Sequence, residues 1–110
     1  MNRKFHIALG VADIAASIED YAQRLQAQPA LVVPDEYALW RTPALNFSIR
    51  RVEPEAVGLL RHLGWEDAFA QEFSRDTDAN GIVWEHFALN QQLDEIALAW
   101  PGLTKPSQRV

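Results

Sequence analysis

Residues Phe5 to Leu25 read FHIALGVADIAASIEDYAQRL, a strand pattern that passes directly into a helix pattern. Phe5, Ile7, Leu9 and Val11 alternate with His6, Ala8 and Gly10, which is the period of a strand. The large apolar side chains take one face. The other carries an imidazole beside two small residues, as though space were left in front of it. Asp13 then stands where an N-cap is needed. After it Ile14, Ile18, Tyr21, Ala22 and Leu25 recur at helical spacing, while Ser17, Glu19, Asp20, Gln23 and Arg24 fill the opposite side. The spacing predicts an amphipathic helix running to about Gln28, ended by Pro29 and lying on a sheet.

After this helix, Ala30–Val33 is a short strand, Pro34-Asp35-Glu36 is turn chemistry and Tyr37–Arg41 resumes as a strand. Thr42-Pro43-Ala44 turns again into Leu45–Val52, where Leu45, Phe47 and Ile49 face one way and Asn46, Ser48 and Arg50 the other. The first half is therefore β-α-β-β-β. Glu53-Pro54-Glu55 breaks the chain. Leu59–Trp65, LLRHLGW, is another strand, and Asp67 to about Ser74 is open between a short helix and a loop. Asp76 to Gly81, DTDANG, is the strongest turn signal, and Ile82–Leu89 comes next as a strand with Val83, Glu85 and Phe87 on one face and Trp84 and His86 on the other. A last helix is expected with Asn90 as its cap and Leu93, Ile96, Ala97 and Trp100 inward, stopped by Pro101-Gly102, with a frayed tail to Val110. His6-Ile7-Ala8-Leu9 and His62-Leu63-Gly64-Trp65 form a weak internal echo, each opening a half of the chain.

At 110 residues the chain makes one domain, residues 1–110. There is no cysteine, which excludes disulfide scaffolds, iron–sulfur clusters, thiolate zinc and cysteine nucleophiles, and suits a reducing cytoplasm. Ten basic against fifteen acidic residues give a net charge of −5, which disfavours a nucleic-acid partner. No apolar run approaches a membrane span. His6, Gly10 and Asp13 interrupt the segment after the charged Met1–Lys4, so neither membrane insertion nor a leader is expected.

His6, His62 and Glu85 stand out chemically. Two imidazoles and a carboxylate from three strands of one sheet would form a facial site with coordination positions left open, suited to Fe, Mn, Ni or Zn as the divalent ion. Strand histidines are more often core or edge residues and strand glutamates more often face water, and His86, pointing away from Glu85, is read as structural or solvent-facing. Arg50 shares a face with Asn46 and Ser48, so these three are candidates to line a pocket. Trp40 and Trp84 suit a core. No phosphate-binding glycine loop and no Gly-x-Ser-x-Gly elbow is present.

FHIALGVADIAASIEDYAQRL, RHLGW (Arg61–Trp65) and DANGIVWEHF (Asp78–Phe87) together resemble the vicinal oxygen chelate superfamily, the glyoxalase I, bleomycin-resistance and extradiol dioxygenase group. The resemblance spans roughly residues 5–89. It implies an α+β fold of paired βαβββ modules forming a curled mixed sheet, with helices on its outer face and a C-terminal helix. The first module covers about 5–52 and a truncated second one about 59–100. It places His6, His62 and Glu85 on the family's metal-ligand positions and implies a homodimer. Only the segment 63–84 separates His62 from Glu85, so the second module is expected to lack most of its helix and at least one strand. The cavity is then open or completed by a partner. Tyr37–Trp40 and Leu45–Ile49 further resemble the branch with cadmium-induced proteins and carbon–arsenic lyases, but the absence of cysteine disfavours that lyase activity. The resemblance thus leaves a small metal-dependent lyase, isomerase or dioxygenase acting on an oxygen-chelating small molecule. The alternatives are a non-catalytic sequestration protein and a degenerate dimeric scaffold.

Overall fold

A computed structural model describes residues 3–102. The elements run in the order β1 (Arg3–Val11), α1 (Ile14–Leu25), β2 (Leu31–Val33), β3 (Tyr37–Arg41), β4 (Leu45–Arg51), β5 (Leu60–Asp67), β6 (Ser74–Thr77), β7 (Val83–Phe87) and α2 (Leu89–Ala99), with a 3-10 turn at Pro54–Ala56. The fold is α+β. Its seven strands form one mixed, open sheet in the order β2-β3-β4-β1-β5-β7-β6.

The sheet has an internal two-fold character centred on the antiparallel β1–β5 pair, where Ile7 faces Leu63. On one side β1 lies parallel to β4, which is antiparallel to β3; on the other β5 lies parallel to β7, which is antiparallel to β6. The second half has no counterpart of α1 or β2 among the described residues. The segment after Asp67, open between helix and loop in the sequence, contains no helix, and it leads into the four-residue β6.

Asp13 caps α1 by accepting the Ala16 N–H at 2.9 Å. The helix ends before Pro29 is reached. Gln26 turns left-handed at φ 53, and the Trp40 indole N–H donates to the Ala27 carbonyl at 2.8 Å, drawing the chain back onto the sheet. Ile14 is buried against Val11, Ala38, Trp40 and Ile49, with Ile18, Tyr21 and Leu25 packed on the same cluster. Each such side chain removed from water is worth roughly 1.5–3 kcal/mol.

α2 lies on the opposite face. Leu93 and Ile96 pack against Leu31, Val33, Tyr37 and Leu39, and along β3 these alternate with the residues under α1. Its start differs from the sequence expectation. Ala88 is the cap position, its N–H bonded to the Gln91 side chain at 2.8 Å, and Asn90 sits exposed inside the helix. Ala97, expected inward, is exposed, and Gln92 takes the buried place one turn before Ile96. The expected frayed tail, from residue 103 on, lies outside the described residues. Among those described, no helix is long and apolar enough to cross a membrane.

Candidate metal centre

β1 and β5 each present alternate residues to the inner face: His6 and Ala8 from one, His62 and Gly64 from the other. Their antiparallel register sets Ala8 opposite His62 and Gly64 opposite His6, so each imidazole stands over a small residue of the neighbouring strand. The two rings can therefore lean together, and their Nε2 atoms lie 2.9 Å apart. The Asp78–Gly81 turn brings the third member. Asp78 accepts the N–H groups of Asn80 and Ile82 and the Trp84 indole N–H, closing β6 onto β7. Glu85 of β7 then pairs with Gly64, its Oε1 3.0 Å from His62 Nε2 and 4.0 Å from His6 Nε2. Its Oε2 lies 3.4 Å from Arg75 of β6, which turns the other oxygen toward the imidazoles.

Gly64 is required where it stands. A Cβ there would overlap the Glu85 carbonyl oxygen and lie 2.9 Å from the Glu85 backbone N and C. Only glycine lets β7 approach β5 closely enough for Glu85 to join the histidines.

The buried polar residues His6, Asn46, Ser48, Glu66 and Gln92 gather in this region. Arg41 grips Glu66 through two bonds of 2.9 and 2.8 Å. Asn46 Nδ2 donates to Glu66 and to Gln92, both at 2.8 Å, which commits its Oδ1 as an acceptor. That oxygen takes the Gln92 amide at 3.1 Å and faces His6 Nδ1 at 2.8 Å, with the Asn46 carbonyl a second acceptor at 3.1 Å. His6 therefore carries its proton on Nδ1 and directs the lone pair of Nε2 into the site. A fixed lone pair facing another imidazole nitrogen at 2.9 Å calls for one positive particle between them, a proton or a metal ion.

The electrostatics agree. Burial, and then the neighbouring His62, hold His6 below the ordinary histidine pKa, so it is neutral near pH 7. Burial alone would raise Glu85, but the hydrogen bond with His62 and, in the acid range where a carboxyl titrates, the attraction of His62, His6 and Arg75 outweigh it, and the carboxyl stays below its usual value. Glu66 shows the same pattern: burial is outweighed by its hydrogen bonds to Arg41 and Asn46. Two imidazoles and one carboxylate are a sulfur-free donor set. The candidate ligand atoms all lie within 4.8 Å of one another, so the trio could hold a metal ion. Ligands about 2.0–2.2 Å from one ion at right angles stand about 3 Å apart, close to two of the three separations here.

The trio opens into a cavity of about 250 Å³ lined also by Tyr37, Ser48, Arg50, Arg61, Phe73 and Trp100. Of the pocket residues expected from sequence, Ser48 and Arg50 reach the cavity. Asn46 is wholly buried behind His6 and acts on that ring instead. His86 is turned away and bonded to Asp67 at 2.8 Å. Trp40 is fully buried under α1, whereas Trp84 is half-buried on the outer face. Burial pushes the Tyr37 phenol up to about 12, leaving a neutral hydroxyl beside Ser48. Gln92, Glu66, Tyr37 and Arg61 belong to the site without being evident from sequence. Glu66 had a signal, since His62, Gly64 and Glu66 share a strand face. Arg61 had none, because simple alternation sends it to the side opposite His62.

No family model matches the chain, and no curated protein matches it. Among solved structures the fold is similar to a chain described as NAD-dependent benzaldehyde dehydrogenase from Legionella pneumophila, with a TM-score of 0.52 and 15% sequence identity, over 76% of this chain and 97% of that one. At that identity the likeness is one of fold alone.

Proposed function

We propose that this protein is a small divalent-metal protein of the vicinal-oxygen-chelate type, with His6, His62 and Glu85 as ligands and an oxygen-chelating small molecule as substrate. One observation carries the reading: three ligand atoms from three strands meet at the floor of a cavity, and the lone pair of one is fixed by a buried relay. Fe, Mn, Ni and Zn all suit the donor set. A metal bound there would supply Lewis acidity toward substrate oxygens, consistent with a lyase, isomerase or dioxygenase. The chain's own groups do the rest. Asn46 holds His6, Arg75 holds Glu85, and the neutral Tyr37 hydroxyl serves as a hydrogen-bond donor at neutral pH. The charged lining of Arg50, Arg61 and Arg75 favours this reading over sequestration of an apolar compound. The absence of cysteine accords with a cytoplasmic setting.

We further propose a homodimer. The outer faces of β1, β5 and β7 carry Phe5, Ile7, Leu63, Trp65 and Trp84, all half-buried. Among the described residues the second half has no helix comparable to α1 to lie over them. A second copy would complete their burial.

Metal titration of chelator-treated protein tests the metal reading. The expected result is one divalent ion per chain, with His6→Ala, His62→Ala and Glu85→Gln each losing more than the ~10–100-fold that outer-shell changes cost. His86→Ala should leave affinity unchanged. Equal losses from His86→Ala and His6→Ala, or no stoichiometric binding, would refute the site.

A further inference from the structure

Beside the candidate ligands the cavity wall carries two cations, Arg50 and Arg61, that no carboxylate among the described residues neutralises. Along β5 the register passes from Ala8–His62 directly to Leu9–Leu60, so Arg61 is the extra residue of a bulge. Bulges re-aim side chains. Here Arg61 lines the same cavity as His62, although strict alternation would place them on opposite faces. Arg50 reaches the cavity from β4, its guanidinium 4.9 Å above the Trp100 ring, while that ring also packs 5.2 Å from Tyr37. The end of α2 thereby holds Arg50 in place.

The other arginines in or near the site are engaged. Arg75 is bound to Glu85 and Arg41 to Glu66, and away from it Arg51 meets Glu36. Among the described residues neither Arg50 nor Arg61 has a carboxylate within salt-bridge distance or a hydrogen-bonded partner, although Glu95 lines the same cavity. Arg61 is half-buried and faces the same cavity as Arg50. Two like charges, partly desolvated and facing one space, oppose folding unless an anion joins them. The neutral hydroxyls of Tyr37 and Ser48 beside them add donors and no negative charge.

We propose that Arg50 and Arg61 form a carboxylate-binding subsite, and that the substrate is a compact organic acid carrying a second oxygen-chelating group. This assignment rests on the metal reading above for the chelating end and on the arginine pair alone for the acid end. The guanidinium fork matches a carboxylate in two parallel hydrogen bonds, and the volume of about 250 Å³ lies below the range typical of drug-sized ligands, which favours a small acid. The bulge at Arg61 sets the acid-binding group next to the ligand His62, so one short molecule can span both.

Co(II) alone, then lactate and malate, are the probes. Both acids offer a 2-hydroxycarboxylate chelate; malate adds one more carboxylate. The Co(II)-loaded protein, monitored through its visible spectrum, should bind malate at least about tenfold tighter than lactate. Arg50→Met and Arg61→Met should reduce that preference to within about twofold, with Co(II) affinity unchanged and melting temperature equal to or above the parent's, since a repelling charge has been removed. Calorimetry of metal-free protein with succinate gives an independent arm, with affinity expected to fall at least about fivefold in either variant. Loss of Co(II) binding with retained arginine-dependent succinate binding would sink the metal reading and keep the subsite. Equal affinity for malate and lactate, or a preference that survives both substitutions, would overturn the subsite. Inorganic phosphate binding more tightly than any of the acids would overturn the carboxylate assignment in favour of a phosphate ester.

Discussion

Replacing Gly64 by alanine separates the close approach of β5 and β7 from every other feature of the site. The added methyl overlaps the Glu85 carbonyl oxygen, and the Glu85 backbone N and C at 2.9 Å close off escape. These are backbone atoms in a sheet, not the end of a flexible side chain. The strands must part by about an ångström to restore ordinary contact. Overpacking of this kind costs about 1–3 kcal/mol, and the rigid obstacle points to the upper end. For a domain of this size each kcal/mol shifts the melting temperature by about 4 °C, so a fall of about 12 °C is expected. A ligand displaced by about an ångström cannot keep a bond that tolerates ~0.2 Å, and metal affinity should drop at least as far as in Glu85→Gln. Gly81→Ala is the control. Gly81 sits at φ 82 in open space, so alanine there costs about 1–2 kcal/mol of backbone strain and leaves metal binding intact. Thermal unfolding and metal titration of both variants give the answer. A Gly64→Ala protein that melts within about 2 °C of the parent and binds metal equally would refute the close-approach reasoning.

Asn46→Ala removes the nearer of the two acceptors that fix His6, leaving only the backbone carbonyl at 3.1 Å, and strips Gln92 of its partner; metal affinity should fall about 10–100-fold while Gln92→Leu, which leaves both His6 bonds, falls less. Isothermal titration of both variants checks the ordering, and equal losses would contradict it. Glu66 has a folded-state pKa below its ordinary 4.5, so its contribution to stability is complete above that value and is lost as pH falls through the lower folded pKa. The stability gap between the parent and Glu66→Gln should therefore be full at neutral pH, where breaking the buried pair with Arg41 costs about 3–5 kcal/mol, and shrink in acid. Denaturant melts from pH 7 to 3 that keep the gap constant would rule this out. Sedimentation should show a dimer at tens of micromolar, and Trp65→Lys should convert it to monomer without affecting metal stoichiometry; a parent that sediments as monomer would remove the outer-face interface.

The sequence carried the first half of the fold because each element announces itself through a simple period and a chemical stop. The Asp13 cap, the Pro34–Glu36 turn and the alternation through Leu45–Arg51 reappear with boundaries shifted by a residue or two. The early end of α1 was not legible. It depends on Trp40 reaching the Ala27 carbonyl, a contact between residues thirteen apart in sequence. The Ser74–Thr77 strand was hidden for a different reason. Its four residues are polar and exposed, so no apolar alternation marks them, and only pairing with β7 makes them a strand. At the site, residue types and faces pointed to His6, His62 and Glu85. The role of Asn46 depended on which of its neighbours lay behind it, and Arg61 on a bulge that alternation cannot foresee.

The internal two-fold explains why three candidate ligands meet here and not four. His6 and His62 lie 56 residues apart and occupy equivalent places in β1 and β5, as do Ala8 and Gly64. Glu85 stands beside Gly64 on the parallel neighbour β7; the place beside Ala8 on the parallel neighbour β4 is held by Ser48. The symmetry that repeats the imidazole does not repeat the carboxylate. It does not repeat the support either, for Asn46 stands beside His6, whereas Val83 ends β7 on the His62 side and offers no side-chain acceptor. One half of the sheet thus supplies a rigidly held neutral imidazole and a short hydroxyl, and the other supplies the negative charge. A carboxylate in place of Ser48 would sit near Arg50 and Arg61 and neutralise them from within the protein. With serine there, the cationic wall keeps its charge, and the side of the candidate centre facing it remains open to an anionic ligand.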